Sequence, residues 1–151
     1  MLEGFLDVQR GTLLEKCMDL TAEQVGARSE AIPRLSLHGL VRHMARAERW
    51  WFRISMCGMN LPTLFATHQA TDPAFDEVDP VRWEDDLETY RGEVAAASDA
   101  VAWLALDDLA KSDFDQPLSL RWIYLHMITE YARHNGQADL LREVAERHTG
   151  V

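Results

Sequence analysis

Three polar residues have the types and the spacing of ligands for one divalent cation. Glu130 and His134 lie four positions apart on a predicted helix, and residues at that spacing point the same way, with Cβ atoms about 5–6 Å apart. On a second predicted helix, His43 falls inside the apolar arc of the helical wheel. Two imidazoles and one carboxylate resemble catalytic zinc sites, which keep a further position open. Zn²⁺ is therefore the expected ion, and Ni²⁺, Fe²⁺ or Mn²⁺ would suit the same donors.

Glu48 is the first candidate for a catalytic group. It lies near the centre of the apolar arc of the helix that carries His43, and a carboxylate rarely enters a core unless it is paired or binds a metal. Three roles are open: a fourth ligand, an acceptor that orients a ligand histidine, or half of a buried pair with Arg121 or Arg133. The second and third are favoured, because three ligands already form a suitable open site.

His126 is the second candidate, since a near-neutral pKa suits a residue that carries protons. It lies four positions before Glu130, nearer the edge of the inner helix face, so it is predicted as an edge histidine that could line a substrate pocket.

Cys17 and Cys57 are 40 positions apart and form no C-x-x-C pair, so both are predicted as packing residues. The tryptophans at 50, 51, 103 and 122 are predicted in the core or in an interface, which is compatible with a homodimer.

The helix that carries His43 also has a stripe of arginines on its other side, with His38 nearby and predicted exposed. The four are Arg42, Arg46, Arg49 and Arg53. The stripe is predicted to be a solvated face or a partner surface for the acidic helix expected over 80–106. A docking site for an anionic thiol or a nucleic acid is the minor alternative.

The charge distribution argues against a nucleic-acid partner. The 151 residues contain 25 acidic and 15 basic side chains, for a net charge of −10, and the segment 72–115 holds 14 of the acids. Nucleic-acid binding normally needs a basic face.

The longest uncharged run, 54–71, is broken by glycine, proline and polar residues, so no membrane span is expected. Without a basic, apolar N-terminal leader, a cytoplasmic location is expected.

Helical periodicity predicts the elements that position these residues. Long helices are expected over 2–20, over 36–57 with Ser36 as N-cap, over 80–106 after Asp79, and over 119–147 with Ser119 as N-cap. A capping box of Thr21 and Gln24 predicts one short helical turn. The segment 59–79 is predicted as a long surface connection. These elements predict an all-α protein, a four-helix bundle with one long crossover that forms a single domain over 1–151.

Two stretches resemble the signature helices of the DinB-like superfamily, in particular its actinobacterial branch related to the N-terminal domain of mycothiol-dependent maleylpyruvate isomerase. They are SLHGLVRHMARAERWWFRISMCGMNLP at 36–62 and SLRWIYLHMITEYARHNGQADLLREV at 119–144. The resemblance implies a four-helix bundle with a metal on His43, Glu130 and His134. It also implies use of a bacterial low-molecular-weight thiol, mycothiol or bacillithiol.

We therefore expect a metal-dependent transferase or isomerase that joins such a thiol to small electrophilic substrates. A metal ion stabilises a bound thiolate, so a thiol with a free pKa of about 8.5 becomes a nucleophile at neutral pH. Two alternatives are kept open. One is a non-catalytic metal-binding or stress-associated bundle, and the other is a hydrolase that uses metal-bound water.

Overall fold

The all-α class predicted from the sequence is confirmed by a computed structural model that describes residues 1–65 and 72–148. Over these residues the chain contains helices and turns and no strand beyond one isolated bridge between Leu109 and Ser119. The helices are α1 Leu2–Glu15, α2 Ala22–Gly26, α3 Leu37–Glu48 continued by a π-helical segment Arg49–Met56, α4 Pro73–Asp76, a 3₁₀ turn Pro80–Arg82, α5 Trp83–Val101 and α6 Leu120–Arg147. Part of the predicted connection, 66–71, lies outside the described residues.

The helix starts follow the predicted capping residues. The hydroxyl of Ser36 accepts from the backbone N–H of Gly39, and that of Ser119 accepts from the N–H of Trp122. Both arms of the predicted capping box at Thr21 are present. Asp79 caps a 3₁₀ turn instead of the long helix, which begins three residues after the proline, at Trp83.

Two helices end earlier than the periodicity predicts. After α1 the chain tightens into i→i+3 turns and reaches Asp19, whose φ of 61° lies in the left-handed region that aspartate tolerates. At the end of α5 the N–H of Leu104 turns back to the carbonyl of Val101. The carboxylate of Asp108 then takes the N–H of Ala105, so these donors cannot continue the helical ladder.

The helix predicted over 36–57 is present, but its second half is a π-helix from Arg49 to Met56. Its i→i+5 hydrogen bonds widen each turn. Such segments are rare in proteins, and those that occur are often found at functional sites. The carbonyl of Ser55 accepts from the N–H groups of Lys111 and Ser112 in the following loop. Gly58 ends the segment with a φ of 68°, and a Cβ there would come within 3.1 Å of the Lys111 side chain.

The buried apolar side chains form one core cluster between α1, α3, α5 and α6. α1 packs along α6, and α3 packs against both α5 and α6. The inner face of α6 is formed by the buried side chains of Leu120, Ile123, Tyr124, Met127, Ala138, Leu141 and Ala145. On α1 the face with Leu6 and Leu13 meets the core, whereas Phe5 is 60% exposed. Within the described residues, no helix is long and apolar enough to cross a membrane.

Three arginines of the stripe form a partner surface for the acidic helix α5, while Arg46 faces Asp72 before α4, with the charged atoms 3.6 Å apart. Arg42 Nη1 lies 2.9 Å from Asp86 Oδ2, while Arg49 and Arg53 share Glu93 at 2.6 and 2.9 Å. The prediction of an exposed His38 is wrong: its side chain is fully buried, with Nε2 2.8 Å from Asp86. The helical wheel shows which side of the helix is polar, but the carboxylates of α5 turn that side into an interior interface.

Candidate metal centre

The packing of α3 on α6 brings together His43, Glu130 and His134. One potential ligand atom from each residue lies within 4.8 Å of the other two. The two imidazole rings approach edge to face, with centroids 4.7 Å apart. The structure thus places the three residues in one partly buried group, as the helical spacing predicts; their role as metal ligands remains a prediction.

His134 has one ring nitrogen engaged and one without a partner. Its Nδ1 lies 2.7 Å from Oε1 of Gln137, one turn further along α6, and therefore donates its proton to that oxygen. Its Nε2 is buried, has no hydrogen-bond partner and lies 3.6 Å from Oε2 of Glu130. In this tautomer Nε2 carries a free lone pair directed into the group, which is the arrangement of a metal-ligating histidine.

His43 is held in its neutral form. Burial lowers its pKa to about 4, and the nearby His134 acts in the same direction. One face of its imidazole stacks on the ring of Phe75, with centroids 4.9 Å apart. At neutral pH the imidazole therefore offers a lone pair without first releasing a proton.

Glu130 supplies the negative charge of the group. One carboxylate oxygen forms a short ion pair with Arg133 and the other faces His134. Ligands of a zinc ion lie about 2.0–2.2 Å from the metal, so two of them are roughly 3.4 Å apart. For a zinc ion the three ligand atoms would therefore have to approach one another by about 1.4 Å or less. The donor set and the unpartnered nitrogen fit a divalent cation.

A cavity of about 330 Å³ opens beside this group, with His43 and Glu130 in its wall. Its volume is at the lower end for small-molecule sites. One face of α3 and its π-helical continuation forms most of the wall, and the chain around 63, 64 and 72 completes it. The described lining residues are Arg46, Ala47, Arg49, Trp50, Trp51, Ile54, Thr63, Leu64 and Asp72. The cavity thus combines aromatic surface with two guanidinium groups.

Glu48 is fully buried, as the wheel predicts, and it forms an ion pair. Arg10 donates from Nε and Nη2 to its two carboxylate oxygens at 2.8 and 2.7 Å, and the hydroxyl of Tyr131 donates to Oε1 at 2.7 Å. The prediction that Arg121 or Arg133 pairs with Glu48 is wrong. Arg121 pairs with Asp107, and Arg133 pairs with Glu130 on the same helix. These contacts favour the buried-pair role for Glu48 over the other two alternatives.

His126 lies between two tryptophans at the edge of α6. Its ring stacks on Trp122 with centroids 5.0 Å apart and contacts Trp51 at 4.5 Å. Burial lowers its pKa, against an opposing effect of Glu130. Trp51 also lines the cavity, so His126 borders the cavity wall through that ring. Trp103, predicted in a core or an interface, is 94% exposed in the isolated chain.

Both cysteines have the environment of packing residues. Burial raises the pKa of the Cys17 thiol to about 12, and it also raises the pKa of Cys57. Neither sulfur forms a disulfide. A thiolate is the reactive form of cysteine, so these environments suppress nucleophilic reactivity.

Two residues that support the group were not predicted from the sequence. Gln137 could have been found, because it lies three positions after His134 and therefore on the same helix face. Phe75 lies in the long connection, 32 positions after His43, and no sequence periodicity links the two.

The fold and the site together define a class of protein: the described chain is helical and carries two histidines and one carboxylate beside a cavity. The comparison of sequences specifies it further: residues 1–146 match the family described as Mycothiol-S-transferase. The chain therefore belongs to this DinB-like family, which confirms the resemblance and indicates a mycothiol-related transferase function. No curated protein and no solved structure matches the chain significantly.

Proposed function

We propose that the protein is a metal-dependent mycothiol S-transferase in which His43, Glu130 and His134 hold a divalent cation, with Zn²⁺ favoured by the donor set. The observation that carries the proposal is the buried, unpartnered Nε2 of His134, which faces the other two residues beside the cavity. In the proposal, mycothiol reacts as the thiol and a small electrophile is the second substrate.

When bound, the cation would supply positive charge that favours the thiolate form of the thiol at neutral pH. The chain's own residues prepare the site. Gln137 holds His134 in the tautomer that exposes Nε2, and burial keeps His43 neutral. The proton released by the thiol needs an acceptor, and the neutral ring of His126 is the proposed carrier to solvent.

The cavity wall suits an electrophile with an apolar body. Trp50, Trp51 and Leu64 provide apolar surface, and the guanidinium groups of Arg46 and Arg49 add hydrogen-bond donors whose ion-pair partners are Asp72 and Glu93. Arg49 is fixed, since it donates to the carbonyl of Pro62 and to Glu93. Fixed walls orient a bound substrate, which lowers the entropic cost of bringing thiol and electrophile together.

The wider proposal places this site in a DinB-like four-helix bundle built from α1, α3 with its π segment, α5 and α6, as one cytoplasmic domain over 1–151. Association into a homodimer is a further part of the proposal, with the exposed Trp103 as a candidate contact residue. Sedimentation velocity over a range of concentrations tests the dimer.

The central experiment measures metal content and thiol transfer on the same samples. Protein purified without chelator is analysed for metals, and conjugation of mycothiol to chlorodinitrobenzene is followed before and after dialysis against chelator. We expect about one Zn²⁺ per chain, activity that depends on it, and loss of both in His134→Ala. His148→Ala, at the exposed residue that follows α6, is the matched control and should behave as wild type.

The outcome separates the alternatives. Full activity after metal removal would overturn the proposal. Metal binding without conjugation of any of mycothiol, bacillithiol and glutathione would favour a non-catalytic binder, and metal-dependent ester cleavage without thiol would favour a hydrolase. Because a ligand that binds the folded state raises the melting temperature, a thermal shift with each thiol reports binding independently of turnover.

A further inference from the structure

Arg42, on α3, connects this helix to the short helix α4 through hydrogen bonds. Its Nε donates to the carbonyl of Ala74 and its Nη2 to the carbonyl of Pro73, each at 3.0 Å. Its remaining terminal nitrogen pairs with Asp86, which also accepts from His38. Arg42 is buried, so these contacts form in a region shielded from water. The arginine thus joins α3, α4 and α5 at one point.

Two further arginines hold the same turn from the other side. Arg28 donates from Nη2 to the carbonyls of Phe75 and Asp76, at 2.8 and 3.3 Å. Arg34 makes a bidentate pair with the Asp76 carboxylate at 3.1 and 3.0 Å. The four backbone carbonyls of α4 are therefore all taken by guanidinium groups from outside the helix, two by Arg42 and two by Arg28.

This degree of attachment exceeds what a surface turn requires. A helix of four residues is unstable in isolation, and exposed carbonyls at its end are normally satisfied by water. The turn also lies against α3 at Gly39, where an added Cβ would come within 3.0 Å of the Phe75 ring and 3.4 Å of its Cα. Hydrogen bonds and close packing together define the position of the Phe75 backbone.

The side chain held in this way is the one that stacks on His43. The Phe75 ring covers one face of the imidazole with an interplanar angle of 26°, while His134 meets the same imidazole edge-on. A ring confined on two sides has little freedom to rotate about its χ angles. The imidazole is therefore held in the orientation that directs it toward His134 and Glu130.

We propose that Arg42 and Arg28 are positioning residues for the metal ligand His43: by fixing the carbonyls of α4 they hold Phe75 against the imidazole and preorganise it for the cation. The inference rests on the proposed function, since it takes His43 as a ligand. Outer groups that orient a ligand histidine typically change metal affinity about 10–100-fold, which sets the size of the expected effect.

The test compares Zn²⁺ affinities, by competition with a chelating dye, in variants that loosen the turn to different degrees. Arg28→Gln removes both contacts to the carbonyls of α4, together with one to the carbonyl of Pro33, and should weaken binding about tenfold. Arg42→Lys keeps the charge beside Asp86 but loses the fork geometry, and should weaken binding by about tenfold to a hundredfold. Arg91→Gln, which removes only an exposed pair with Glu88 on α5 and leaves every contact of α4 in place, is the matched control and should change affinity less than about twofold.

Two spectroscopic readouts separate positioning from a general loss of stability. In Co²⁺-loaded protein, the visible absorption bands should change in Arg28→Gln and Arg42→Lys, because they report ligand geometry. In metal-free protein, the NMR signals of the His43 ring should move toward free-imidazole values, since the ring current of Phe75 no longer acts on them at the same distance. Melting temperatures of the metal-free variants identify any that fail to fold.

The outcomes are distinct. Variants that keep wild-type Zn²⁺ affinity, Co²⁺ spectrum and His43 signals, whatever their melting temperature, overturn the positioning role. If the wild-type chain binds no Zn²⁺, the proposed metal function fails, and the His43 signals of the metal-free variants still decide whether the arginines orient the ring. Gly39→Ala, which drives Phe75 away without touching an arginine, should reproduce the shift.

Discussion

Gln137 Oε1 accepts a hydrogen bond from Nδ1 of His134 at 2.7 Å, within one turn of α6. The contact leaves Nε2 of His134 as the unprotonated nitrogen, next to Glu130. An amide is a neutral acceptor, so it fixes the tautomer without adding negative charge behind the ring. Gln137 therefore controls how strongly His134 can donate its lone pair to a cation.

Changing this acceptor should tune metal affinity in both directions. Gln137→Leu removes the acceptor and should weaken Zn²⁺ binding about tenfold, whereas Gln137→Glu places a carboxylate behind the imidazole and should strengthen it. Isothermal titration with Zn²⁺ measures both effects. Gln116→Leu, at an exposed position in the loop before α6, is the control. Equal affinities for the three variants would show that the tautomer of His134 does not matter for binding.

The pair of Glu48 and Arg10 should be essential for folding and dispensable for chemistry. Breaking a buried ion pair from one side costs about 3–5 kcal/mol of unfolding free energy. We therefore expect Glu48→Gln and Arg10→Met each to be strongly destabilised, and the double variant to lose less than the sum of the two. Urea unfolding measures these differences, with Asp99→Asn on exposed α5 surface as control. If Glu48 acted in catalysis, kcat would fall in a Glu48→Gln sample that is still folded.

Asp86 should make the protein less stable in acid. Burial alone would raise the pKa of this carboxyl, but hydrogen bonds from His38 and Arg42 and the charge of Arg42 outweigh burial, so its pKa lies below the usual range. A carboxyl with a lowered native pKa stabilises the fold above its unfolded pKa of about 3.9 and loses that contribution as the pH falls through its native pKa. The stability difference between wild type and Asp86→Asn should therefore be largest near neutral pH and shrink below about pH 4.

Chemical denaturation at a series of pH values measures this dependence. A constant difference between the two proteins down to about pH 2 would contradict it. Glu93, whose pKa is also lowered against burial by Arg49 and Arg53, should give the same trend in Glu93→Gln.

Replacing His126 separates its stacking role from proton transfer. Phenylalanine preserves a flat ring between Trp51 and Trp122 but cannot carry a proton. We expect His126→Phe to keep its melting temperature and to lose about 10²-fold or more in kcat for thiol conjugation. The pH–rate profile should lose its acidic limb in this variant. Unchanged kcat would assign His126 to packing alone.

The sequence was sufficient to predict the all-α class, the capping residues and the meeting of His43, Glu130 and His134. These follow from local rules: capping chemistry acts within four residues, and the spacing on α6 and on the regular part of α3 obeys the helical period. The resemblance to the DinB-like superfamily implies a metal on the same three residues.

The side-chain partners of buried polar residues on other helices could not be derived from the sequence in the same way. The wheel placed Glu48 inside, but the position of Arg10 against it depends on how α1 packs in three dimensions. His38 looked exposed because its helix face is polar, and only the approach of Asp86 on α5 buries it. The π-helical turns after Glu48 also had no sequence signal, since local propensities do not distinguish them from α-helix.

The π-helical segment has a consequence for how this protein can change. Deletion of a single residue between 49 and 56 would change the angular positions of the cavity-lining side chains Trp50, Trp51 and Ile54, because a π-helix holds more residues per turn than an α-helix. His43 precedes the segment, and Glu130 and His134 belong to another helix. An indel here would therefore reshape the proposed electrophile pocket and leave the proposed ion-binding residues in place, so substrate selectivity and metal binding could diverge independently.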